Sequence, residues 1–270
     1  MLRDVAAGDV DGDGVVDLAW IELSLNLVEF RTGQGDGSFA PSISLDAPWD
    51  PFVVEVADPD DDAHANIVVL LRSPSRLAIC RAGPSGPKPP VFIDLPSTSP
   101  SSGSIPVTLC LGDLFSDGFP DWLMTFEANR RIKIIHGTPL DLVEGSAVFM
   151  GAGDSTQASR CASGDLNGAG YPDLLHLTNL VDSDLSVRLS DGLGSFEPLV
   201  TYSTENQFLY ALALQSAIRT QDLTGDGAVE VFIPGARAVD DTLVFQGAPD
   251  GSLGELTSIP CVASACEESC

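Results

Sequence analysis

The sequence predicts an all-β protein built as a β-propeller of four-stranded blades, and three observations carry the prediction. An acidic motif recurs five times along the 270 residues. A Gly-rich landmark follows it at a nearly constant offset, and the residues around the two read as short strands.

The motif stands first as Gly8-Asp9-Val10-Asp11-Gly12-Asp13-Gly14-Val15-Val16-Asp17-Leu18. It returns as Gly164-Asp165-Leu166-Asn167-Gly168-Ala169-Gly170-Tyr171-Pro172-Asp173-Leu174, and between these copies as Gly112-Asp113-Leu114-Phe115-Ser116-Asp117-Gly118-Phe119-Pro120-Asp121-Trp122. A fourth copy runs from Gln221 to Val231, and the least regular one from Ala57 to Ile67. Their first aspartates fall at 9, 58, 113, 165 and 222, spaced by 49, 55, 52 and 57 residues. The second landmark is Gly35-Asp36-Gly37-Ser38-Phe39, repeated as Gly192-Leu193-Gly194-Ser195-Phe196 and Pro249-Asp250-Gly251-Ser252-Leu253, with its last residue 30, 31 and 31 positions after the first aspartate. Units two and three keep only loop-like remnants at Gly83-Pro84-Ser85-Gly86 and Gly137-Thr138-Pro139.

In the first unit, 5–8 leads into the acidic loop and 18–23 follows as a dense apolar run. The stretch 25–30 alternates with one slip of phase, and 39–45 alternates around a proline, which suits an edge strand. Four strands repeated every ~50 residues make a radial stack of small sheets, each covered by its neighbours. The units are placed at about 3–47, 48–104, 105–157, 158–208 and 209–260, with a Cys-rich tail at 261–270.

Composition bounds the function. Thirteen basic against 39 acidic side chains leave a formal charge of −26, which disfavours nucleic acid or an anionic membrane as a partner held by charge. With 44% hydrophobic residues the chain can still bury a core. Twenty-six Gly and 19 Pro argue for many tight turns rather than a helical bundle. The longest apolar stretches, 67–71 and 209–218, are far short of the roughly 20 residues of a spanning helix. The first 17 residues contain no apolar run of signal-peptide length.

Carboxylates at positions 1, 3, 5 and 9 of a tight Gly-containing loop would repel one another unless a cation sat among them, and hard oxygen ligands select Ca²⁺. In unit one the ligands are Asp9, Asp11, Asp13 and Asp17, with the Val15 carbonyl between them. Position 12 is Trp20 in an apolar run, not the Glu of a helix-loop-helix calcium site, so this is a strand-flanked loop. The competing reading is a set of Asx-turns whose carboxylates only accept local backbone hydrogen bonds.

Asp-x-Asp-x-Asp-Gly-x-x-Asp-Leu with a downstream Gly-Asp-Gly-Ser-Phe resembles the FG-GAP/VCBS repeat of integrin α-chain-like propellers, over the chain up to about Pro260. The resemblance implies one blade per repeat, a calcium loop between the first two strands, and most often seven blades, so five units form a five-bladed ring or part of a larger one. Carried over, it implies ligation by Asp58, Asp60, Asp62 and Asn66 in unit two, with His64 giving only its carbonyl. Unit five offers Asp222, Thr224, Asp226 and Glu230, whose longer side chain must fold back. Unit three has Phe115 in place of a carboxylate, leaving Asp113, Asp117 and Asp121; unit four has Ala169, leaving Asp165, Asn167 and Asp173. The implied role is a calcium-stabilised extracellular or cell-surface scaffold for adhesion, binding protein or glycan through face loops. The alternative is an accessory propeller of a secreted carbohydrate-binding or polysaccharide-processing protein. A loop with a dissociation constant of about 10⁻⁴ M gains about 1.4 kcal/mol at roughly 1 mM Ca²⁺ and almost nothing at cytosolic levels, which points outside the cytoplasm.

Cys80, Cys110 and Cys161 lie within the repeats, and Cys110 and Cys161, three and four residues before their acidic loops, read as buried thiols on first strands. Cys261, Cys266 and Cys270 look like the start of a disulfide-rich module. The three His, at 64, 136 and 176, occupy non-equivalent places, and no metalloprotease, Walker A or nucleophile-elbow motif is found, so no catalytic residue is expected. Trp20 and Trp122 are expected in the core, and Trp49 as an exposed platform.

Overall fold

The computed structural model describes residues 2–22, 24–46, 50–58, 62–95, 106–126, 129–137, 158–178, 184–204, 218–233 and 242–259. The chain divides into two compact units: Met1–Leu111 with Asp117–Gly151, and Gly112–Ser116 with Ala152–Cys270.

Unit 1 contains three blades. Blade 1 is β1 (Leu2–Gly8), β2 (Asp17–Glu22), β3 (Leu27–Arg31) and β4 (Ile43–Leu45), and blade 2 is β5 (Pro51–Ala57), β6 (Asn66–Arg72), β7 (Ser75–Cys80) and β8 (Val91–Asp94). Blade 3 pairs β9 (Pro106–Gly112), β10 (Asp121–Phe126) and β11 (Asn129–Ile135). The fourth strand expected there lies outside the described residues. Unit 2 contains blade 4, with β12 (Ala158–Gly164), β13 (Asp173–Thr178), β14 (Leu185–Arg188) and β15 (Val200–Tyr202). Blade 5 has β16 (Arg219–Gln221), β17 (Glu230–Ile233), β18 (Thr242–Gly247) and β19 (Leu253–Ile259). Four sheets are four-stranded meanders in chain order, and every described pairing is antiparallel.

Three strands start two or more residues away from the sequence reading, β1 opening at Leu2 rather than Val5. β3 begins at Leu27 rather than Leu25, because 24–26 form the turn: Leu25 N–H donates to Glu22 O at 3.3 Å and Asn26 takes φ +55°. β4 begins at Ile43 rather than Phe39, because Phe39 bridges back to Gly33 and Pro41 has no N–H for a ladder.

The core lies between blades. On β6 the residues alternate between two clusters. Ile67, Val69 and Leu71 join Ala19, Ile21, Val28 and Phe30 of blade 1, whereas Val68 and Leu70 join Leu109, Trp122, Met124 and Ile135 of blade 3. The unbroken apolar run at 67–71 is thus a strand covered on both faces. In unit 2, Leu175, Leu177, Leu185 and Val187 pack on Val231, Ile233, Leu243 and Phe245. First strands come closest where the residue before a loop is glycine. A Cβ on Gly8 would lie 2.5 Å from Val56, and one on Gly164 would run into Thr220.

Trp122 is fully buried as expected, and Trp20 is half-buried with Arg31 5.5 Å from its ring. Trp49 and the three tail cysteines lie outside the described residues. Cys80 is a buried free thiol, its pKa pushed up to about 12 by burial. Cys110 and Cys161, expected as thiols, are disulfide-bonded, a state that their offset from the loops could not reveal.

Candidate metal-binding loops

Each acidic loop joins the first two strands of its blade, and its first carboxylate folds it. In loop 1, Asp9 Oδ1 accepts the N–H of Gly12 (2.8 Å) and Asp13 (3.1 Å), and Oδ2 accepts that of Gly14 (2.8 Å). Gly12 and Gly14 hold φ of +77° and +83°, the left-handed region that glycine enters without a steric penalty. Asp11 Oδ1 accepts Asp13 N–H at 3.3 Å, and Asp13 Oδ1 accepts Val15 N–H at 2.8 Å. These are the local bonds of Asx-turns.

The last acid does something the spacing did not announce. Asp17 is 1% exposed, and its two oxygens accept Val10 N–H and Gly33 N–H, both at 2.8 Å. It ties the loop to the end of β3. Asp173 repeats this with Leu166 and Ser190, both at 2.8 Å. Asn66 accepts Ala82 N–H at 2.8 Å, and Asp121 accepts Gly137 N–H at 3.0 Å. Glu230 accepts Leu223 N–H at 2.8 Å and spends its extra methylene reaching Gln246 Nε2 at 3.0 Å. All five side chains are buried, so each satisfies backbone donors that would otherwise be stranded away from water.

The predicted ligands converge unequally. Asp9, Asp11 and Asp17 each offer an oxygen within 4.8 Å of the others, the one such acid or histidine cluster among the described residues. Asp9 Oδ1 already accepts two N–H groups, whereas Asp9 Oδ2, Asp11 Oδ1 and both Asp17 oxygens accept one each and keep a second lone pair. The Asp11 carboxyl is held above its ordinary range, first by burial and then by the charges of Asp17, Asp13 and Asp9. A cation would relieve that repulsion, so this donor set fits Ca²⁺. Asp13 and Val15 complete the loop on its exposed side.

In loop 2, Asp58 accepts the N–H of Asp62 (3.2 Å) and Ala63 (3.0 Å), and Asp62 accepts that of His64 (2.9 Å). Asp60 lies outside the described residues. Loops 1 and 2 interlock: Ala65 N–H donates to Asp9 O at 2.8 Å, and the His64 ring lies where a Cβ on Gly12 would approach to 2.5 Å.

Loop 3 is divided between the units. Asp113 belongs with unit 2 and Asp117 and Asp121 with unit 1. Asp117 Oδ1 accepts Phe119 N–H at 3.0 Å, and its Oδ2 pairs with His136 Nε2 at 2.7 Å, that nitrogen lying 4.0 Å from Asp121 Oδ1. Phe115 packs on Gly194 of the blade-4 turn. In loop 4, Asp165 accepts the N–H of Ala169 (2.9 Å) and Gly170 (2.8 Å), and Asn167 accepts Ala169 N–H at 3.0 Å. In loop 5, Asp222 accepts Gly225 N–H (2.7 Å) and Gly227 N–H (2.9 Å), which hold its carboxyl below the usual range. Asp226 accepts Ala228 N–H at 2.9 Å, and Thr224 is exposed.

Sequence reasoning missed the acceptor role of the last acid and the part of His136. The signal for the former was present: Gly33 and Gly137 stand 16 residues after their acids, and Ser190 stands 17 after its own.

No protein-family model and no curated protein matches the chain. Solved structures do. An Agrocybe aegerita lectin that recognises non-reducing terminal N-acetylglucosamine aligns with a TM-score of 0.52 at 15% identity, over 94% of this chain and 79% of the lectin. A protein from Lactobacillus plantarum aligns at 0.62 and 14%, over 96% and 71%. BBS1N, solved in complex with ARL6DN, aligns at 0.58 and 15%, over 95% and 68%. At these identities the likeness shows the fold: the chain is a β-propeller protein. No helix among the described residues is long and apolar enough to cross a membrane.

Proposed function

We propose that this chain is a non-catalytic, calcium-stabilised propeller of the FG-GAP/VCBS kind, working outside the cytoplasm and binding glycan or protein through its loops. The observation that carries the calcium part is the convergence of Asp9, Asp11 and Asp17 with the raised Asp11 carboxyl. Those three residues would hold the ion and Asp13 would add charge beside it. A bound Ca²⁺ would offset two of the four carboxylate charges of the loop, whose Asp9 carbonyl already accepts Ala65 N–H of loop 2. The binding part is supported by the fold likeness to one structure of a glycan-binding lectin and one of a complex with a second protein.

Thermal unfolding at about 2 mM CaCl₂ and in excess EDTA tests the calcium reading. A midpoint several degrees lower in EDTA is expected; an identical midpoint reduces the loops to hydrogen-bonded turns.

A further inference from the structure

Unit 2 carries an apolar surface that metal binding does not explain. The turn Asp191-Gly192-Leu193-Gly194-Ser195 is rigid, since Asp191 Oδ1 accepts the N–H of Leu193 (2.8 Å) and Ser195 (2.9 Å), and Asp191 N–H donates to Ser195 O at 3.0 Å. Leu193 at its tip is 81% exposed. The glycines on either side each lie against an aromatic ring. A Cβ on Gly192 would come within 2.6 Å of Tyr171, and one on Gly194 would run into Phe115. Both rings are half-buried, and the Tyr171 hydroxyl makes no hydrogen bond among the described residues.

The corresponding turns differ. In blade 1, Gly35 has only Val15 nearby, at 3.5 Å, and Gly37 has nothing within 4 Å; in blade 5, Gly251 meets Leu189 and Asn167. Phe115 stands where the repeat has its second carboxylate, so the residue that breaks the metal pattern supplies one of the rings.

Resting on the glycan-binding reading, we propose that Leu193, Tyr171 and Phe115 form a subsite for one ring of a neutral saccharide. The C–H face of a sugar would rest on Leu193 and the rings, and one hydroxyl would pair with the Tyr171 hydroxyl. Size decides against a protein partner, since a specific protein interface needs about 800 Å² per side and three side chains match one pyranose. Charge decides against an anionic sugar: the chain carries −26, the Asp165 carboxylate accepts the N–H of Gly170 beside Tyr171, and that of Asp191 accepts the N–H of Leu193. The rings are held by the turn before a ligand arrives, so little ordering opposes binding.

The test is binding to immobilised neutral oligosaccharides ending in N-acetylglucosamine, galactose or glucose, with sulfated counterparts and a Lys/Arg-rich peptide alongside. Wild type, Leu193→Asp and Tyr171→Phe are compared, and unfolding midpoints confirm that the variants fold. Wild type should bind at least one neutral sugar, weakened about tenfold or more by Leu193→Asp and several-fold by Tyr171→Phe. Neutral-sugar binding retained by both variants overturns this subsite and leaves the glycan reading standing. Wild type binding no sugar, or only the peptide, overturns both, and a preference for sulfated sugars overturns the assignment of a neutral ligand.

Discussion

Loops 1 and 4 share a backbone and differ in chemistry. Gly12 and Gly14 have φ of +77° and +83°, and Gly168 and Gly170 have +67° and +92°. The first aspartates cradle equivalent N–H groups, and Asp17 and Asp173 make the same two bonds at 2.8 Å. Loop 1 nevertheless has Asp11, Asp13 and Val15 where loop 4 has Asn167, Ala169 and Tyr171. Positions 1, 4, 6 and 9 therefore fold the loop, while positions 3, 5 and 7 choose what it meets: converging carboxylates, the proposed cation site, in one blade and an aromatic-flanked turn in the other.

The largest expected effect tests the shared part. Asp17→Ala and Asp173→Ala each strand two buried N–H groups, at about 1–3 kcal/mol apiece, so each should cost about 2–6 kcal/mol in urea unfolding. Comparable losses uphold the equivalence. A loss at Asp17 that exists only in calcium would break it, making that acid chiefly an ion ligand.

The blades also differ three residues after the buried acid, at Trp20 and His176. His176 is 1% exposed, both ring nitrogens lack a hydrogen-bond partner among the described residues, and burial, with the charge of Arg188 adding, pushes its pKa down to about 4. The unfolded chain takes up this proton near pH 6.5 and the folded one only near 4. Stability present above pH 6.5 is therefore lost as pH falls toward 4, by about 3 kcal/mol at 1.36 kcal/mol per unit. His176→Leu should remove that part of the slope; an unchanged pH profile would show that the site is not the source.

Two smaller effects sharpen the metal contrast. Asp11→Ala with Asp13→Ala should remove about 1.4 kcal/mol, a few degrees of midpoint, in about 1 mM calcium and leave the midpoint in chelator unchanged, whereas Asn167→Ala should show no such calcium dependence. Conversely, Asn167→Asp with Ala169→Asp should give loop 4 a terbium-luminescence signal absent from the parent loop. Failure to gain one would mean that positions 3 and 5 do not suffice.

Much of this architecture was legible in one dimension. The period, the loop copies and the strand order follow from repeated residues, because each blade uses the same local rules: glycine where φ is positive, carboxylate where loop N–H groups converge, alternating apolar residues where both faces are covered. The β4 boundary was less legible because Phe39 alternates correctly yet bridges to Gly33. The metal reading named Asp17 as a ligand and missed its two backbone partners, since a carboxylate looks the same in sequence whether it faces an ion or an amide.

By itself the sequence determined the repeat, the acidic loops and the absence of a familiar catalytic motif, all of which rest on short-range spacing. Only the tertiary structure decided which acids share a point, that His176 is buried with no hydrogen-bond partner among the described residues, and that Phe115 and Tyr171 flank Leu193. Those facts depend on residues far apart in the chain meeting across strands and between blades, and local pattern carries no record of such meetings.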